Sequence, residues 1–241
     1  MKIPDLNKYR KIYNIVICVF IVVFMVNVAL TFIYKDRYRA KSIPGDTDPT
    51  ISETADDSGE VSNDWKQVVL KDPNFERIIR YNLSIPETNN IVVRNVRKID
   101  YLNLNHSNIK SLEGIENFKN LRKLDLSFNQ VKDLTPLTKL KKIQEIILYS
   151  NNLEDVSELA KIKTLKKLDL SNNQITDVTP LAALINLTDL DLNNNKIYTI
   201  GSISVLPKLT VLDVSRNYIK DMNSLDSKKY KLLLDWGNKT N

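Results

Sequence analysis

From residue 99 onward, apolar and polar positions recur in a frame of 22 residues. Ile99, Leu121, Ile143, Leu165, Leu187 and Leu209 open the units. Three residues later stand Leu102, Leu124, Ile146, Leu168, Leu190 and Leu212, and five later Leu104, Leu126, Leu148, Leu170, Leu192 and Val214. Ten later come Ile109, Val131, Leu153, Ile175, Ile197 and Ile219. The apolar-x-apolar alternation predicts a short strand in each unit, with one face buried and one exposed. A single unit cannot bury its own apolar face, so the six units over residues 99–230 are expected to stack into one parallel sheet over a shared core.

One polar column belongs to this frame. Eight residues after the anchor stand Ser107, Asn129, Asn151, Asn173, Asn195 and Asn217. The chain leaves the strand there, and a side-chain amide can bond backbone groups that a bend leaves unpaired. These asparagines are therefore expected to form a structural ladder.

The ends of the array also carry a pattern. Phe75, Ile78, Ile79 and Leu83 have helical spacing, so residues 65–98 are expected to form a helical cap over the open core edge of the first unit. A seventh unit in the same frame would put Lys231, Leu234 and Trp236 at the aliphatic positions. A partial closing strand is expected within 231–241, with Trp236 sealing the core.

The phrases LDLSFNQVKDLTP at 124–136 and LDLSNNQITDVTP at 168–180 show the consensus L-x-x-L-x-L-x-x-N-x-I. With the 22-residue period, Thr135-Pro136 and Thr179-Pro180, the array resembles internalin-type bacterial leucine-rich repeats over roughly residues 68–226. The resemblance implies an α/β, right-handed leucine-rich repeat solenoid with a curved parallel sheet and a helical N-terminal cap. It also implies a binding module. The cell-wall anchoring signals of internalins are not part of the resemblance, so host-cell invasion is not carried over.

The longest apolar run lies outside the array. Residues 14–34, NIVICVFIVVFMVNVALTFIY, contain no charge and are long enough to cross a bilayer core of about 30 Å as a helix. They are expected to form one transmembrane helix, an uncleaved signal anchor behind a short basic N-terminus at 1–13. Residues 35–64 are then expected to form a flexible tether. Their stretch 42–64 holds seven acidic residues and no basic one. Lipid contact through residues 14–34, a bacterial plasma-membrane location and a repeat domain outside the cytoplasm are expected. Four basic residues on either side leave the orientation tied on charge. A cytoplasm-facing membrane scaffold, similar to phosphatase-regulator repeat proteins, is the alternative.

Charge removes one function class. The formal net charge is +6, but residues 1–41 carry eight basic and two acidic side chains, the whole of that excess. The remaining 27 basic and 27 acidic side chains cancel, so the repeats present no basic face and no nucleic-acid partner is expected. One cysteine and one histidine leave no Cys/His metal site or intrachain disulfide. No cofactor is expected. Asp125, Asp169, Asp191 and Asp213 fall on neighbouring strands, with Asp235 in the partial unit. They are read as equivalent, solvated carboxylates, flanked by Lys123 and Lys167, that lack the split environments of a catalytic pair. His106 is read as an exposed surface residue. The chain is expected not to be an enzyme.

The strand face opposite the core is the candidate site. Most units place Asp, Asn, Ser or Lys there, but the early ones depart from the habit. Tyr101, Phe128, Ile147 and Tyr149 are expected to form the main contact patch for a protein or cell-surface ligand. Asp169, Asp189, Asp191 and Asp213 form an acidic half suited to a basic partner. The repeat domain is expected to be monomeric.

Overall fold

A computed structural model describes residues 64–226 and 229–234. The unit that carries the repeats groups residues 52–81 and 85–241. Its sheet has seven parallel strands in sequence order: β1 Tyr101–Asn103, β2 Lys123–Asp125, β3 Glu145–Ile147, β4 Lys167–Asp169, β5 Asp189–Asp191, β6 Val211–Asp213 and β7 Leu232–Leu234. Leu102, Leu124, Ile146, Leu168, Leu190 and Leu212 pair across the sheet in one row. Each is buried. The 22-residue frame thus becomes the strand register, because a shift of one residue would turn every core side chain to solvent.

The return segments are tighter than α-helices. Thr135–Lys139, Ser157–Lys161, Thr179–Ala183 and Gly201–Val205 form 3₁₀ helices, with shorter ones at Ile115–Asn117 and Met222–Ser224. Their inward residues Leu137, Leu159, Leu181 and Ile203 are buried in the second wall of the core. Asp133, Asp155 and Asp177 start three of these turns by accepting the N–H of Thr135, Ser157 and Thr179 at 2.8–2.9 Å.

Asn129, Asn151, Asn173, Asn195 and Asn217 are buried and link successive units. Each Nδ2 donates to a carbonyl of the preceding unit: Leu104, Leu126, Leu148, Leu170 and Leu192, at 2.7–3.0 Å. Each Oδ1 accepts a backbone N–H, from Ile109, Val131, Leu153, Ile175 and Ile197 respectively. Leaving these amides and carbonyls buried without partners would cost about 1–3 kcal/mol apiece.

Ahead of β1 lie helices α1, Pro73–Leu83, and α2, Val93–Val96. Phe75 and Ile79 are the buried residues of α1, and the Phe75 ring stacks on Phe118 with centroids 5.7 Å apart. Asp72 ties α1 to the first unit. Its Oδ1 accepts the N–H groups of Asn74 and Phe75 as a helix cap, and its Oδ2 accepts those of Lys110 and Ser111. Burial raises the carboxyl's proton affinity, but these four backbone donors outweigh it and hold Asp72 below the ordinary carboxylate value. Gly114 sits at φ +99°, where a Cβ would lie 2.3 Å from the Val69 carbonyl oxygen. Only glycine fits this contact.

Two expectations are corrected. The transmembrane helix is not upheld. Among the described residues no helix is long and apolar enough to cross a membrane. The longest of them, α1, has 11 residues, about 16 Å of rise, and carries Glu76, Arg77 and Arg80. Residues 14–34, where the span was expected, and the tether after them lie outside the described residues, as does Trp236. The plasma-membrane location and the bilayer contact fall with the span.

The closing strand is present, but its register differs from the expected frame. Leu212 pairs with Leu233, not Leu234, so the last spacing is 21 residues. Tyr230 is buried where the 22-residue frame would place Lys231, which is exposed. Dropping one residue keeps an apolar ring, not an ammonium, on the core side.

Candidate functional site

The strand side chains opposite the core form three rows across the sheet. The first row runs Tyr101, Lys123, Glu145, Lys167, Asp189 and Val211. The second runs Asn103, Asp125, Ile147, Asp169, Asp191 and Asp213. The third, two residues further along each strand, is Asn105, Ser127, Tyr149, Ser171, Asn193 and Ser215.

Charge in the first row is compensated. Lys123 bonds Glu145 at 2.7 Å and lies 5.7 Å from the Tyr101 ring centre. The Glu145 hydrogen bond outweighs partial burial and raises the Lys123 pKa above the ordinary lysine value. Lys167 stands 3.8 Å from Asp189. Neither lysine forms an ion pair with the second-row aspartate two residues along its own strand.

The second row has no such ion pairs: among the described residues none involves Asp125, Asp169, Asp191 or Asp213. Each instead turns Oδ1 back to its own chain, accepting the N–H of Ser127, Ser171, Asn193 or Ser215 at 2.8–2.9 Å. The four were expected to be equivalent, and they are not. Burial pushes the Asp191 carboxyl up to about 6; the Asn193 N–H opposes this, while the charges of Asp169 and Asp213 on either side add to it. The face from β3 to β6 forms a shallow groove of about 330 Å³ that includes Ile147, Asp169, Asp191 and Asp213.

The aromatic half gathers at the strand exits. Phe128 meets the Tyr149 ring edge to face with centroids 4.8 Å apart, and His106 stacks on Phe128 at 4.0 Å and 18°. Phe128 is 43% exposed. Tyr149 is half-buried, as is Ile147 two residues before it on the same sheet face. Tyr101 stands apart, over Lys123 in the first row. Of the four expected patch residues, the fold therefore joins Phe128 and Tyr149, places Ile147 beside them and separates Tyr101. It adds His106. Its signal was available: His106 and Phe128 are 22 residues apart and occupy the same position in consecutive units.

That shared position is unusual. His106, Phe128, Ser150, Asn172, Asn194 and Arg216 all have φ between 51° and 57°. Asn172 and Asn194 suit the left-handed region and form a ladder, Asn194 donating to Asn172 and Asn172 to Ser150. His106 and Phe128 carry large rings there at a conformational cost.

The family comparisons agree with this geometry. A leucine rich repeat model matches residues 163–219, and a two-copy leucine rich repeats model matches 97–139 and 141–183. Together they span half of the chain. The chain belongs to the leucine-rich repeat family. The 22-residue period of its units is the one that carries the resemblance to internalin-type repeats. Among solved structures it is similar to an internalin C2 from Listeria monocytogenes, at 27% identity over 68% of this chain and 92% of that one, with a TM-score of 0.47. It is also similar to an internalin F from the same organism, at 21% identity over 76% and 81%, with a TM-score of 0.37. No curated protein sequence matches the chain. As a leucine-rich repeat protein, it belongs to a class that works by binding other proteins.

Proposed function

We propose that the sheet face opposite the core is the recognition surface of a protein-binding leucine-rich repeat domain. The supporting observation is the exposed cluster of His106, Phe128 and Tyr149 beside Ile147. Water-exposed rings in mutual contact on an open sheet lose little conformational entropy on binding and bury large apolar area, the usual composition of an interface hot spot. The first row beneath it, with Lys123–Glu145 and Lys167–Asp189 already paired, supplies a compensated polar rim. The Asp169, Asp189, Asp191 and Asp213 side chains extend the surface toward β6.

The test replaces Ile147 and Tyr149 together by the residues other units use, Ile147→Asp with Tyr149→Ser. Far-ultraviolet circular dichroism stays unchanged, because neither side chain supports the core. Affinity for a partner captured on the full chain falls at least tenfold, about 1.4 kcal/mol. Unchanged affinity places the binding surface elsewhere on the solenoid.

A further inference from the structure

We infer that the occupant of this sheet face is an extended polypeptide segment, with an apolar side chain on the His106–Phe128–Tyr149 cluster and a lysine or arginine over the Asp169–Asp191–Asp213 row. The inference rests on the reading of this face as the recognition surface and adds the chemistry of the ligand.

Both lysines of the first row are engaged, by Glu145 and by Asp189. The facing third row around the aspartates holds only Ser171, Asn193 and Ser215. The three carboxylates therefore face one another across adjacent strands, and among the described residues no cation pairs with them. Carboxylates one strand spacing apart, about 4.8 Å, repel. Burial chiefly raises the proton affinity of Asp191, the middle one, and the charges of Asp169 and Asp213 add to it. A ligand cation would relieve that repulsion.

The shape of the row selects an organic cation. Each Oδ1 is already bonded to a backbone N–H, so the row offers one free oxygen from each strand. Oxygens on separate strands suit the spread donors of a guanidinium or the long reach of an ammonium better than the 2–2.6 Å shell of a small metal ion.

The spacing selects an extended chain. From Tyr149 beyond β3 to Asp191 on β5 is two strand spacings across and two residues along, roughly 12 Å. An extended backbone covers that in three to four residues. The groove from β3 to β6 holds the aspartate row and begins at Ile147, two residues before Tyr149 on the same sheet face. One strand-like segment crossing the sheet would thus seat its apolar side chain at one end and its cation at the other.

The experiment uses the full chain and fluorescein-labelled twelve-residue peptides of Gly and Ser. One carries Trp and Arg separated by three residues, a second has Glu for Arg, and a third has Ser for Trp. Fluorescence anisotropy should show the Trp/Arg peptide binding at least tenfold more tightly than either of the others. The advantage of Arg over Glu should vanish in D169N/D191N/D213N, and in D191N alone it should shrink. Phe128→Ala should weaken the Trp/Arg peptide while preserving the preference for Arg over Glu. Thermal unfolding of each variant checks that it is folded. Equal affinity for Arg and Glu peptides, persistence of the preference in the triple variant, or no measurable binding of any peptide overturns the inference. The recognition-surface reading is judged separately, by the Ile147/Tyr149 double variant and its captured partner.

Discussion

The rings of His106 and Phe128 lie 4.0 Å apart and 18° from parallel, although both residues hold a left-handed backbone that asparagine fills in later units. Left-handed backbone costs an ordinary residue about 1–2 kcal/mol. The stack returns about 0.5–1.5 kcal/mol of that. For two such residues the cost is about 2–4 kcal/mol, more than one stack returns, so the rings do not favour folding, which is what a site kept for binding would show.

Phe128→Asn therefore separates stability from recognition. The variant should melt at the same temperature as the parent or higher, because asparagine tolerates this conformation and can extend the ladder from Asn194 through Asn172. Its affinity for the partner should fall at least tenfold. A melting temperature lowered by several degrees in differential scanning calorimetry would show that the ring is a structural element.

Gly114→Ala probes the junction between the cap and the first unit. The new Cβ meets the Val69 carbonyl oxygen at 2.3 Å, with the Leu70 side chain at 2.8 Å, and the φ of +99° disfavours alanine as well. Backbone cannot retreat as cheaply as a flexible side chain. Urea unfolding should show a loss of at least about 2 kcal/mol. A loss below about 0.5 kcal/mol would mean that the cap is not packed in this way.

Asn173→Ala tests the ladder at its centre. The substitution strands the N–H groups of Asn151 and Leu153 and removes one of the two side-chain amides that donate to the Leu148 carbonyl, the other being that of Asn151. The expected loss is about 3 kcal/mol or more, because the site is closed to water. The equivalent change at Ser107, which stands in the column's first unit and is not fully buried, should cost much less. Equal losses at both positions would argue against the ladder as a source of stability.

Asp191→Asn makes the domain less sensitive to pH. The folded carboxyl titrates near 6, above its ordinary value, so the native state holds the proton more tightly than the unfolded chain. That stabilisation is full below the ordinary carboxylate range and is lost as pH rises through about 6. Asparagine resembles the protonated form and escapes the loss. Relative to the parent, the variant should therefore gain stability between pH 4 and pH 7, by about 1–2 kcal/mol once solvent screening is allowed for. A stability difference that stays constant across that range in urea titrations counts against the electrostatic account of the row.

Much of the fold was legible in the sequence because a 22-residue period is a statement about translation. Once Leu124, Ile146 and Leu168 occupy equivalent places, stacking them in register is the arrangement that buries all of them, and the strand order follows. The asparagine column was legible for the same reason, since a buried amide at every bend needs backbone partners. The closing strand was legible only in part. Its existence followed from an apolar run, but its 21-residue spacing depended on whether Tyr230 or Lys231 would enter the core, a contest decided by packing against β6. The membrane span was a reading of hydropathy in residues 14–34, and the described helices give it no support.

The candidate site divides in the same way. By itself the sequence determined which residues depart from the repeat consensus, Tyr101, Phe128, Ile147 and Tyr149, and which later units keep their aspartates. Only the tertiary structure decided which of them act together. Tyr101 was drawn aside to Lys123, and His106 was brought onto Phe128. Lys123 and Lys167 turned to Glu145 and Asp189, and Asp191 was left between two like charges. The physical reason is that periodicity dictates position along the solenoid, whereas ion pairing, ring stacking and desolvation depend on distances between neighbouring units, which arise only when the chain has coiled.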